Sequence, residues 1–188
     1  MRKFFFLSFI LAGSSFLLLA DEDILSQLRA SAGGMYTSFS GTFNYTSSSG
    51  VILNGQIYYK YPGNLHLKMS DGGIVATNGR FLWVYNPKSM RCLKQDVSGS
   101  SGGILGILKG YQGQKRGDTF VFKKNEARYK EIAVRVSDGT LRNVTLKTEE
   151  GMQVLSFSSL QVGVGIRASL FNFKPPPSTQ VMENALNN

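Results

Sequence analysis

From Phe39 onward, apolar and polar residues alternate with a period of two, the spacing that puts successive side chains on opposite faces of a strand. Turn-forming residues break the alternation every eight to twelve positions, at Ser48-Ser49-Gly50, Pro62-Gly63-Asn64, Asp71-Gly72-Gly73, Asn78-Gly79, Asn86-Pro87, Asn125, Asp138-Gly139 and Glu150-Gly151. The segments between them are predicted strands: 39–48, 51–61, 64–70, 73–78, 80–86, 90–96, 118–123, 128–136, 140–149, 151–162 and 171–173. About eleven antiparallel strands in one sheet must curl or close, because a flat sheet of that size leaves long edges exposed. Ahead of them, residues 23–35 place Ile24, Leu25, Leu28, Ala32 and Met35 at helical spacing, with acidic residues at the start and Gly33-Gly34 at the end. That is one amphipathic helix.

The alternation also assigns faces. In 51–61, Leu53, Ile57, Tyr59 and Tyr61 fall on one side, and Asn54, Gln56, Tyr58 and Lys60 on the other. In 64–70, Leu65, Leu67 and Met69 oppose Asn64, His66 and Lys68, and later strands repeat the pattern with Phe120, Phe122, Ile132, Val134, Val136, Val144, Leu146, Leu155 and Phe157. One face of the sheet is expected to be apolar throughout. The interruption at 98–117 contains Ser101 to Gly110, "SGGILGILKG", in which Ile104, Leu105, Ile107 and Leu108 stand among glycines. Those aliphatics surround a turn or two on nearly every side, and flanking glycines ease backbone movement, a composition that suits a lid.

The chain's 188 residues, 42% hydrophobic, suffice for one domain with a sizeable core. Residues 1–20 have the form of a signal peptide: Arg2 and Lys3, apolar runs Phe4–Ile10 and Phe16–Leu19, and Ala20 before Asp21-Glu22-Asp23. Export with cleavage after Ala20 is the expectation, leaving 21–188 as a single exported domain. Cys92 is the one cysteine, so the mature chain has neither an internal disulfide nor a lipidation site near its start. Of the formal charge of +9, Arg2 and Lys3 supply two; the remaining cations are scattered along strands, which argues against a nucleic-acid partner and leaves either a merely solvated basic surface or, as partner for an exported protein, an anionic membrane surface.

Catalytic signals are weak. Gly99-Ser100-Ser101-Gly102-Gly103 matches the form of a nucleophile elbow, but the sole histidine, His66, precedes that serine, whereas the fold that uses the elbow places it after. Lys109, preceded by Leu108 and followed by Gly110, does not complete a phosphate loop. One histidine and one cysteine do not make a zinc site. No enzyme activity, cofactor or metal is expected.

Three motifs remain: Asn78–Pro87, "NGRFLWVYNP"; Gly55–Pro62, "GQIYYKYP"; and Phe171–Pro176, "FNFKPP". In this order they resemble the D-G-x-x-L-W-x-Y-x-P, G-x-x-x-x-K-R-P and F-x-F-x-P-P segments of the LolA-like outer-membrane lipoprotein carrier family. The resemblance implies a mainly β fold: an open, unclosed antiparallel β-barrel with an N-terminal helix and a short helical lid over an apolar concave face. It implies a cavity lined by Leu53, Ile57, Tyr59, Tyr61, Leu65, Leu67, Met69 and Trp83, under a lid made of Ile24, Leu25, Leu28, Ile104, Leu105, Ile107 and Leu108. The implied partners are acylated lipoproteins, an inner-membrane ABC-type transporter that releases them, and an outer-membrane receptor as a further candidate. Tyr61 stands where the family commonly has an arginine that tethers the closed lid, so lid control is expected to differ. A lipid-binding or envelope-sensing protein of the same fold is the alternative.

Overall fold

The structure is a computed structural model, and it describes residues 22–50, 52–98, 108 and 110–184. The predicted signal peptide, Ser101, and the aliphatics Ile104, Leu105 and Ile107 lie outside the described residues. Helix α1 spans Glu22–Ala32 and continues into a 3-10 turn at Gly33–Tyr36. Within α1, the Gln27 side chain donates to Asp23 one turn earlier at 3.1 Å. Gly33, at φ +51°, supplies the left-handed residue that ends the α-helix.

Twelve strands follow among the described residues: β1 (Ser38–Ser47), β2 (Ile52–Lys60), β3 (Asn64–Met69), β4 (Ile74–Asn78), β5 (Phe81–Asn86), β6 (Arg91–Asp96), β7 (Gln112–Arg116), β8 (Thr119–Lys123), β9 (Glu131–Ser137), β10 (Thr140–Thr148), β11 (Gly151–Val162) and β12 (Gln180–Glu183). They form one sheet in the order β12-β6-β5-β4-β3-β2-β1-β11-β10-β9-β8-β7. Two meanders, β1 to β6 and β7 to β11, are thus joined by the long β1–β11 pairing at the centre. The two edges, β12 and β7, do not pair with each other, so the sheet is unclosed.

Ten of the predicted strands are present, and three details differ. Residues 171–173 are not a strand: Ala168–Phe171 is a 3-10 turn, and the aromatic alternation of Phe171 and Phe173 serves packing against the sheet instead of pairing. Prolines 175–177 follow at once and have no N–H to give a ladder. The predicted lid segment 98–117 ends in β7, an edge strand whose residues Gln112–Arg116 carry no apolar alternation. Finally β12 pairs with β6 in parallel, so the sheet is not wholly antiparallel.

The register defines two faces. Cross-strand partners share a face, so Phe39, Tyr59 and Leu65 lie together, as do Phe43, Gly55 and Met69. The same face continues through Val75 and Val84 in one direction and through Leu155, Val144, Val134 and Phe120 in the other. This inner face carries the main buried cluster, and α1 packs onto it over β7, β9 and β10. Gly113 makes that approach possible: a Cβ there would lie 2.8 Å from the Ile24 Cγ2 and 3.1 Å from the Phe122 ring. Met35, just beyond α1, is buried in the same cluster, and its sulfur accepts from the Leu141 N–H at 3.0 Å.

Candidate ligand-binding site

An apolar sheet face covered by one short amphipathic helix is the arrangement from which a site can be built. Leu25 (5% exposed) and Leu28 (3%) point from α1 into the inner-face cluster, Ile24 packs at its margin, and Leu108 (1%) joins from the segment ahead of β7. An isolated helix of 11 residues is marginal in water, so α1 keeps its form largely through this docking. Burying two leucines stabilises the docked state by about 1.5–3 kcal/mol each. That is a cover held mainly by apolar contacts.

Beneath it, Ile57, Tyr59, Leu65 and Leu67 are buried in the cluster, and Leu53 and Met69 pack against it half-buried. The structure therefore brings six of the predicted cavity residues together with Leu25, Leu28 and Leu108. Two predicted residues lie elsewhere. β2 ends at Lys60, and Tyr61 enters the turn to β3, where it is 50% exposed and outside the cluster; its backbone N–H donates to the Thr37 carbonyl at 2.8 Å, below the root of α1. Trp83 faces the opposite side of the sheet. Its neighbours Leu82 and Val84 take the inner positions, as their pairings with Thr77 and Val75 require.

Trp83 belongs to a second cluster with Ile74, Ala76, Tyr85 and Cys92 on the outer face, closed by Phe81 and by Phe173 from the C-terminal segment. The Tyr85 and Phe173 rings lie 5.7 Å apart, and those of Phe81 and Trp83 5.8 Å apart. His66 is buried on this face near the 168–171 turn. Burial pushes its pKa down, the Leu170 backbone partly offsets this, and Lys68 lowers it further. Burial pushes the Cys92 thiol up, as for a structural cysteine. The outer cluster explains why β5 is apolar on both faces.

An open cleft of about 500 Å3 lies along β1–β3. Most of its lining, including Thr42, Asn44, Asn54, Gln56 and Lys68, comes from the polar positions, so it is distinct from the apolar interior. Among the described residues, no group of three His, Cys, Asp or Glu could hold a metal ion. The ion pairs Lys94–Glu183, Lys123–Glu131, Lys130–Glu149 and Arg142–Asp138 are all on the surface and individually contribute little.

Sequence reasoning missed polar groups inside. Gln95 is 1% exposed on the inner face, paired with Leu82, and its amide donates to the Asp96 carbonyl at 3.3 Å. Tyr45, Tyr111 and Tyr129 are also buried in the cluster. The Tyr45 position was legible, since it alternates with Phe43; Tyr111 lies in a connecting segment, and Tyr129 falls in the predicted strand 128–136 but out of phase with Ile132, Val134 and Val136, ahead of the observed β9.

No protein-family model matches the chain. Curated relatives do. A protein of Serratia proteamaculans (strain 568) named outer-membrane lipoprotein carrier protein is 28% identical, with 88% of each chain covered. A protein of the same name from Yersinia pestis bv. Antiqua (strain Angola) is 27% identical over 91% of each chain. Among solved structures, an uncharacterized conserved protein from Thermus thermophilus superposes with a TM-score of 0.59 at 8% identity, covering 86% of this chain and 98% of that one, which speaks to the fold alone. Along about nine-tenths of its length the chain is thus similar to proteins named outer-membrane lipoprotein carrier protein, and its described residues form a mainly β, unclosed sheet with one helix ahead of it.

Proposed function

We propose that this protein is a periplasmic carrier that takes up the acyl chains of lipoproteins against the inner face of its sheet and shuttles them from the inner to the outer membrane. The observation that carries this reading is the covering helix. A sheet-on-sheet core would be permanent, whereas here Leu25, Leu28 and Leu108 complete the apolar cluster from elements outside the sheet. Those side chains stand where hydrocarbon would lie, so α1 acts as a lid that an acyl chain displaces. The names of the relatives support the same reading.

The magnitudes are compatible. An acyl chain of a dozen methylenes leaving water gains about 10 kcal/mol at ~0.8 kcal/mol per methylene. Undocking two leucines costs about 3–6 kcal/mol, so the chain can displace the helix and retain affinity. A bilayer offers the chain a similar gain, so transfer between carrier and membrane is near balance and small lid contacts can set its direction. On this reading an ABC-type transporter loads the protein at the inner membrane and a receptor or the outer membrane itself unloads it. No catalysis is required.

The test is to recover the protein from the envelope of its host and weigh it by native mass spectrometry. Carriage predicts adducts with the masses of acylated lipoproteins, together with lipoproteins retained in the inner membrane when the protein is depleted. Adducts of free lipid alone, with lipoproteins normally distributed after depletion, would contradict it and favour a lipid binder or sensor of the same fold.

A further inference from the structure

At one end of the largely apolar interior three tyrosines meet, Tyr129 and Tyr111 in direct hydrogen-bond contact and Tyr45 near Tyr129. Tyr45 comes from β1, Tyr111 from the residue before β7, and Tyr129 from the connection between β8 and β9. The Tyr111 hydroxyl donates to the Tyr129 carbonyl at 2.8 Å. Backbone bonds hold the same loop on both sides, from the Lys124 N–H to the Lys130 carbonyl at 3.1 Å and from the Lys130 N–H to the Lys147 carbonyl at 2.9 Å. Tyr129 is therefore fixed from several directions. Its own hydroxyl is sealed from water in a residue 1% exposed, yet among the described residues it has no hydrogen-bond partner.

Buried phenol groups in native proteins nearly always find a partner, so one left without it calls for a reason. Packing alone does not supply one, since phenylalanine would fill almost the same space. Burial raises the pKa of all three phenols, Tyr111 to about 12, so each is a neutral O–H donor at any physiological pH. Arg128 lies 5.9 Å from the Tyr129 ring and Lys124 5.8 Å from the Tyr111 ring, so cations border this end of the interior. What the site lacks is an acceptor within an otherwise hydrocarbon environment. An acyl chain brings one: the carbonyl oxygen at its head.

We infer that Tyr129 is a specificity-determining residue whose hydroxyl donates to the carbonyl of a bound acyl group, with Tyr45 beside it completing the polar end of an otherwise apolar site. The inference rests on the acyl-binding reading and names what within the ligand is recognised: the ester or carboxyl at the head of the chain, not its length alone. A chain without that carbonyl leaves the hydroxyl as unsatisfied as it is in the unliganded protein. Selection for acylated over merely alkylated molecules follows from one phenol.

The experiment compares a dipalmitoylated cysteinyl lipopeptide with its dihexadecyl ether analogue, which keeps the chains and removes the ester carbonyls, on the wild type and on Tyr129→Phe. The wild type should bind the ester about five- to tenfold more tightly, the worth of one buried neutral hydrogen bond. Tyr129→Phe should weaken the ester probe alone, erasing the difference, while its unliganded Tm stays level or rises because a buried unpaired group is gone. Tyr111→Phe, which loses a bond internal to the protein, should lower Tm and keep the preference. Equal binding of both probes by the wild type, or a preference that survives in Tyr129→Phe, overturns the inference while leaving acyl binding intact. Failure of the wild type to bind either probe overturns the carrier reading itself. Palmitate against hexadecanol forms a second arm: an effect of Tyr129→Phe there and on the lipopeptide alike supports a site for any acyl carbonyl, and an effect on palmitate alone assigns it to free acids.

Discussion

Replacing Leu25 and Leu28 together by serine is expected to tighten acyl-lipopeptide binding at least tenfold while lowering the Tm of the unliganded protein by roughly 6–24 °C. Both leucines are buried in the inner-face cluster, and no element of the sheet depends on α1 for its pairing. The lost docking is worth about 3–6 kcal/mol, and a ligand that must first displace the helix binds more weakly by whatever that displacement costs. Removing the competitor transfers the difference to the ligand. Calorimetric titration with a diacylated lipopeptide checks the affinity, and increased binding of an apolar dye checks that the inner face has been uncovered. Weaker binding in the double variant would mean that α1 is a wall of the occupied site, not its lid.

Gly55→Ala is expected to cost about 3 kcal/mol and lower Tm by roughly 6–12 °C, a large effect for a single methyl group. Gly55 pairs with Phe43 on one side and Met69 on the other, near the middle of the inner face. A Cβ there would collide with the Lys68 carbonyl oxygen and press to 2.9 Å from the Met69 Cα. Both obstacles are backbone, so relief requires breaking the β2–β3 ladder instead of moving a side chain. Gly165→Ala is the control: it has open space around the added atom and no positive φ, and should change stability by less than about 0.5 kcal/mol. Thermal unfolding of the two variants side by side decides the point. A harmless Gly55→Ala would mean that the sheet is not drawn as tightly across β2 and β3 as described.

Gly55 also shows what could be read from the sequence and how. The glycine was visible as the first residue of "GQIYYKYP", yet its role emerges only when β3 is seen to cross its face. The alternating strands were legible because one face meets water: β2, β8, β9 and β10 bury residues on one face only, while β3 keeps the apolar alternation of Leu65, Leu67 and Met69 although His66 is buried on its outer face. β5 was not, since Phe81 to Tyr85 is apolar throughout and is packed on both faces, by the inner cluster and by the C-terminal Phe173. Period-two reasoning then has no polar residue to orient it, and the cavity position that the family resemblance implied for Trp83 is corrected by the structure, which packs it in the outer cluster.

Tyr61 failed for a different reason. Extrapolating alternation past Lys60 presumes that the strand continues, and the chain instead turns at Tyr61-Pro62-Gly63. The edge strands β7 and β12 escaped notice because an edge needs backbone partners on one side only and no apolar pattern. The buried tyrosines Tyr111 and Tyr129 come from connections, where tertiary contacts alone decide burial. Sequence periodicity thus anticipated the apolar inner face and the helix packed on it, and missed the tyrosines buried with them.

The central claim is that α1 gives up its place to the ligand. Spin labels at Ser26 on the exposed side of α1 and at Lys147 on the outer face of β10 allow the separation to be measured by pulsed dipolar spectroscopy, with and without saturating diacylated lipopeptide. The account predicts that the distance distribution moves outward on loading by about a helix diameter, ~10 Å, and returns when the lipopeptide is removed. A distribution unchanged by fully bound lipopeptide would contradict it.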